Sequence, residues 1–259
     1  MWGGIVVVGL GSGLYLILGV FFHDGGRDAG VSGEPSAAIV DQLSAAHGNE
    51  TFVEECTSML QEAGFTVDYY ASDSVTVEFF RKLPTRGYGL LVLRVHCATY
   101  HPDLRVVALF SSERYSQNRY VGEQLNDQVS AVAFAPYEEG DPTYFGITDR
   151  FVVSCMEGQF DDTIVVMMGC DSMRYHSMAD AFVERGASVY VGWDDLVSTP
   201  HTDRVTIDLL RRLLFQGHTV AKAVAEAMAT SGADPYYGGV LSFYPVASGN
   251  CTVGELLSR

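Results

Sequence analysis

Two side chains in this sequence could together carry covalent chemistry. His96 follows the apolar run LLVLRV, and Cys170 follows TIVVMMG. A thiol becomes a good nucleophile when its pKa falls, and a neighbouring imidazole or a helix N-terminus lowers it. In such a pair His96 serves as general base and acid while Cys170 attacks a carbonyl carbon. The main-chain amides of Cys97 and Cys170 would then donate to the oxyanion of an acyl-transfer intermediate. Each residue also has a plainer account. A free cysteine at a strand end is usually a small buried hydrophobe, and a histidine there is usually a satisfied polar group. What raises the pair above those accounts is that both close a buried run.

The elements that would position them alternate along the chain. Apolar runs at 37–43, 65–70, 90–95, 163–168, 188–193 and 240–244 read as strands. Amphipathic stretches at 50–62, 75–83, 148–157, 177–185, 204–215 and 220–229 read as helices. That alternation predicts an α/β fold with a mostly parallel sheet covered by helices. Asn49 caps the first helix and Gly64 stops it. Runs 106–111 and 129–134 read as an inserted β-hairpin with a long polar connection. Ligands of open α/β sheets bind beyond the carboxyl ends of the strands. The turn with Asp171 and a loop over 194–203 with Asp194, Asp195, His201 and Asp203 border that edge, so these five are candidate substrate contacts. The last two also fit a helix cap and a solvent-facing imidazole.

Composition narrows the partners. The 259 residues carry a formal charge of -16, which repels a phosphate backbone and excludes nucleic acid as a partner. Five cysteines in a chain of this size imply no disulfide framework, and none of their spacings is that of a zinc site. No metal and no cofactor is expected. Residues 3–22 are uncharged, and 20 residues are enough to span a hydrocarbon core of about 30 Å as a helix. The expected organisation is a membrane anchor over 1–22, a Gly-rich polar linker over 23–35 and an α/β domain over 36–259. A single pass through the cell membrane with the domain on the extracytoplasmic side is the expected arrangement. The acidic flank of the anchor favours it, and the sequons at Asn49 and Asn250 are compatible with it.

The chain resembles the caspase-like superfamily of cysteine peptidases (clan CD), in which one strand ends in His and the next buried strand ends in Cys. Cys170-Asp171-Ser172 matches the frequent Cys-x-Ser form, and the segment 178–201 is similar to the one that follows the nucleophile in CHAT/separase-like members; gingipain-like members are the other near group. The resemblance covers 37–244. It implies a three-layer α/β/α sandwich and cleavage of a peptide or protein substrate by a His96/Cys170 dyad. It also implies that the loop with Asp194 and Asp195 borders the pocket for the residue before the scissile bond, where carboxylates would favour Arg or Lys. The pair is 74 residues apart, against about 50 in caspases, and the inserted hairpin accounts for the excess. Cys97 stands where the family usually has Gly, and Met173 where Gly often follows Cys-x-Ser. These two departures support an alternative: a catalytically inactive caspase-like domain serving as a membrane-tethered binding or sensing module.

Overall fold

The strand that ends at the candidate histidine, β3 (Leu90–Arg94), is buried along its whole length, as is β8 (Thr163–Met167) beside it. Runs of this kind fit only the middle of a sheet covered on both faces. In the computed structural model, which describes residues 35–258 apart from 102–104 and 135–139, they lie at the centre of a six-stranded sheet. Its order is β10 (Leu241–Tyr244), β9 (Ala187–Trp193), β8, β3, β1 (Ser36–Asp41), β2 (Thr66–Ala71). All neighbours are parallel except β10, which runs antiparallel to β9 at one edge.

Helices cover both faces, so the α/β architecture with a mostly parallel sheet is the observed one. On one face lie α1 (Glu50–Glu62), α6 (Thr199–Leu214) and α7 (Val220–Ser231). Asn49 Oδ1 accepts the Phe52 amide at 3.1 Å and so caps α1, whose Phe52, Cys56, Met59 and Leu60 recur at helical spacing and face the sheet. On the other face lie α2 (Val77–Lys82), α4 (Asp149–Cys155) and α5 (Ser177–Glu184). A short α3 (Val121–Leu125) and a final α8 (Val253–Leu256) complete the α-helices among the described residues. Burying a Leu, Val or Phe side chain in these two cores stabilises by about 1.5–3 kcal/mol each.

The expected hairpin is instead part of a second, four-stranded antiparallel sheet. Its order is β4 (Cys97–His101), β5 (Val106–Arg114), β7 (Tyr144–Thr148), β6 (Val129–Val132), so β7 separates the two runs that had been expected to pair. Alternation explains how it is held: Val107 and Leu109 enter the core shared with α4 and α5, while Ala108 and Phe110 form a small cluster on the opposite face. The expected anchor over 1–22, and the linker apart from Pro35, lie outside the described residues.

Candidate functional site

Strands β3 and β8 pair in parallel with Leu93 opposite Met167, and the ladder continues through a bond from the Met168 amide to the Leu93 carbonyl at 3.0 Å. His96 and Cys170 each lie three residues beyond that last pair, past the ends of the two strands. The close approach persists past the strand ends. A Cβ on Gly169 would lie 2.5 Å from both the Val95 carbonyl oxygen and Cys97 Cβ, so only glycine fits there. Alternation assigns Arg94, Met168 and Cys170 to the face covered by α1 and α6, and Val95 and Cys97 to the other core.

His96 leaves the edge of β3 toward the second sheet. Its amide donates to Gln42 Oε1 at 3.1 Å and its carbonyl accepts the Phe110 amide at 2.8 Å. The ring packs against Phe134, Phe110 and His47 at centroid distances of 4.6, 5.6 and 5.9 Å. Its Nε2 is buried without a hydrogen-bond partner. Burial, then the neighbouring His47 and Arg94, push the imidazole down to about 4, so it is neutral at neutral pH.

Cys170 is half-buried and engaged by the main chain of Val197, whose amide donates to Sγ at 3.3 Å and whose carbonyl accepts from the thiol at 3.4 Å. Burial raises its pKa above the ordinary thiol value; the Val197 amide opposes that rise and Asp171 adds to it. The resting group is a protonated thiol, and no hydrogen bond joins it to His96. Cys97 is fully buried beneath Gly169, and burial holds its thiol well above the ordinary range. Its sulfur lines the core rather than the site.

The expected substrate contacts divide into two groups. Asp171, at a positive φ of 56°, has a buried carboxylate that accepts the Thr99 amide and hydroxyl at 3.2 and 2.7 Å and Arg174 at 2.8 Å. Asp195 accepts the same guanidinium at 2.9 Å, and Asp194 accepts the Val240 amide at 2.7 Å. These three stay at the site's rim, but each already has a partner within the chain.

His201 and Asp203 differ from expectation. The loop ends at Ser198, and both lie in the first turns of α6, because Pro200 occupies an early helical position where its missing amide costs nothing. His201 is buried against Trp193 at 5.5 Å, with Nδ1 2.9 Å from Arg204, rather than facing solvent. Asp203 is 5% exposed and pairs with Arg94 through two bonds of 2.8 and 3.0 Å, so it lies inside the helix rather than capping it, and its carboxylate is already engaged.

That pairing belongs to a network that sequence reasoning missed. Arg94, fully buried, also donates to Asp41 at 2.8 Å and to the His47 carbonyl at 2.8 Å, while Asn49 Nδ2 donates to Asp203 at 2.9 Å. Both polar atoms of the Asn49 amide are therefore used, one for the cap and one for Asp203. The signal was present: an arginine inside a strand buried on both faces requires buried acids. A groove of about 740 Å³ between α1 and α6 includes Asn49, Glu55, Asp203 and Arg204, and a cavity of about 220 Å³ in the second sheet includes Tyr115 and Ser130; neither is lined by His96 or Cys170. Among the described residues no group of three His, Cys, Asp or Glu side chains could hold a metal ion.

Fold and site together define an α/β chain with an imidazole and a thiol at adjacent strand ends. No protein-family model matches the chain, and no curated protein matches it.

Proposed function

We propose that this chain is a membrane-anchored, caspase-like cysteine peptidase with a His96/Cys170 dyad. The observation that carries the reading is that the two residues follow the carboxyl ends of adjacent parallel strands in a helix-covered sheet. The unpartnered Nε2 of the neutral His96 supports its role as base. The thiol proton passes to His96 as Sγ bonds to the scissile carbonyl carbon. The resulting imidazolium returns that proton to the leaving amine, and water then hydrolyses the thioester to regenerate the thiol. The amides of Cys97 and Cys170, on either side of the Gly169 contact, are the proposed oxyanion donors. A basic residue before the scissile bond would have to compete with Arg174 for Asp195. The uncharged run over 3–22 supports the anchor; among the described residues no helix is long and apolar enough to cross a membrane.

The test is covalent labelling by electrophilic peptide probes ending in Arg, Lys or an uncharged residue, applied to wild type, Cys170→Ala and His96→Ala. Labelling confined to wild type is the expected result, and equal labelling of wild type and Cys170→Ala would overturn the dyad. One observation favours the inactive binding module as a second reading: the thiol is bonded to Val197 and not to His96. No labelling of any folded form by any probe would establish that reading in place of the first.

A further inference from the structure

Between Trp193 and α6 the chain crosses directly over Cys170, and this crossing is fastened from outside. The Asp194 amide donates to the Val240 carbonyl at 3.1 Å, and the Asp171 amide donates to the Asp195 carbonyl at 3.1 Å. At Ser198 the fastening is a side chain. Asp234, 3% exposed, accepts the Ser198 amide at 2.8 Å and the Ser198 hydroxyl at 2.6 Å on one carboxylate oxygen. Its other oxygen accepts the Tyr236 and Tyr237 amides, each at 2.9 Å. The Asp234 amide in turn donates to the Gly239 carbonyl at 2.9 Å, and Gly239 lies so close beneath the Leu196 carbonyl that a side chain there would collide with it. Burial opposes ionisation of Asp234, yet the donors from Ser198, Tyr236 and Tyr237 hold its carboxyl down at about 2.

Val197 lies between these fastenings, and both polar groups of its main chain are turned to the thiol. A sulfur in that position has its proton committed to one carbonyl and a lone pair committed to one amide. The bond from the thiol to the Val197 carbonyl must break before the proton can move to His96, and the Val197 main chain must move aside for the sulfur to reach a carbonyl carbon.

We infer that Asp234 is a latch: by holding Ser198 it keeps Val197 over the Cys170 thiol, so the thiol of the resting protein reacts slowly until the Asp234–Ser198 contact opens. The regulatory meaning rests on the peptidase reading, whereas the cover itself does not. An acidic side chain is suited to the task because a carboxylate accepts several strong bonds at once and fixes the loop without any contact to the sulfur.

The test reads thiol access rather than turnover. The full chain, as wild type, Ser198→Ala and Asp234→Ala, is treated with iodoacetamide under native conditions, and the alkylation rate of each cysteine is followed by peptide mass spectrometry. Cys56, fully buried in α1, reports whether the fold is intact. Loss of one bond to a carboxylate is expected to speed Cys170 alkylation about tenfold in Ser198→Ala, and Asp234→Ala should speed it further, with Cys56 slow in every form. Unchanged Cys170 rates with Cys56 protected would overturn the latch. Where Asp234→Ala exposes Cys56, the Ser198→Ala rate decides alone. Faster alkylation in the variants without labelling of any form by a peptide probe would retain the latch and discard the peptidase.

Discussion

His96 and Cys170 follow two adjacent parallel strands, each three residues beyond the last paired residues, Leu93 and Met167. Past the ladder the alignment of the two chain segments is visible at Gly169, which lies against the Val95 carbonyl and Cys97. Gly169→Ala therefore tests the alignment. The added methyl meets a carbonyl oxygen and Cys97 Cβ, and overpacking of this kind costs about 1–3 kcal/mol. Urea denaturation should show that loss, and peptide-probe labelling of Cys170 should fall by more than the small unfolded fraction explains. A variant as stable and as reactive as wild type would mean that the strand ends separate freely.

The buried arginine gives the largest expected loss. Arg94→Met leaves Asp41 and Asp203 facing each other's surroundings without a cation, and breaking a buried pair from one side costs about 3–5 kcal/mol. Replacing Asp41 and Asp203 with Asn in the same chain should recover part of that loss, because the stranded charges are then gone. Denaturant midpoints of the single and triple variants measure both effects; an Arg94→Met chain within 1 kcal/mol of wild type contradicts the network's role.

Much of this arrangement was legible in the sequence, and the rest was hidden for identifiable reasons. The central strands β1, β3, β8 and β9 are largely apolar runs buried along their length, and α1 carries its own cap in Asn49, so periodicity and capping located them. β4 (CATYH) and β7 (YFGIT) are short and mixed, and β7 inserts between β5 and β6, pairing with β5 across 30 to 40 residues of chain, which no local pattern encodes. The loop expected over 194–203 includes Pro200, which an early helical position tolerates, so α6 begins at Thr199 and takes in His201 and Asp203. The candidate dyad was visible because it ends two runs. The Asp234 fastening and the Arg94 network were not, since their partners lie 36 and 109 residues away.

Trp193 and the carbonyl that precedes the site turn are joined by a single hydroxyl. Thr202 Oγ1 accepts the indole Nε1–H at 3.0 Å and donates to the Met168 carbonyl at 3.1 Å. Thr202→Val preserves the shape and strands both groups, at about 1–3 kcal/mol for each left unpaired. Urea unfolding followed by the fluorescence of Trp193 should show a lower midpoint with an unchanged slope. Thr202→Ser, which keeps the hydroxyl, should lose much less; equal losses in the two variants would assign the effect to packing alone.

The acid side of the stability profile should bear the mark of His96. Burial first, then His47 and Arg94, hold its folded pKa at about 4, below the ordinary value of 6.5. Between those values the unfolded chain binds a proton that the folded chain refuses, so stability rises with pH across this window. The contribution is complete above about 6.5 and is lost progressively as pH falls toward 4. Replacing the ring with an uncharged amide in His96→Gln removes the titration. Urea midpoints at pH 5 and pH 7 should therefore differ less in His96→Gln than in wild type. The titration of Asp234, whose folded pKa lies at about 2, falls lower on the scale, and Asp41, whose folded pKa burial raises, is present in both proteins and cancels from the comparison. An identical slope in both proteins would mean that the imidazole is hydrated and titrates near its ordinary value, and the neutral resting base assigned to His96 would then be wrong.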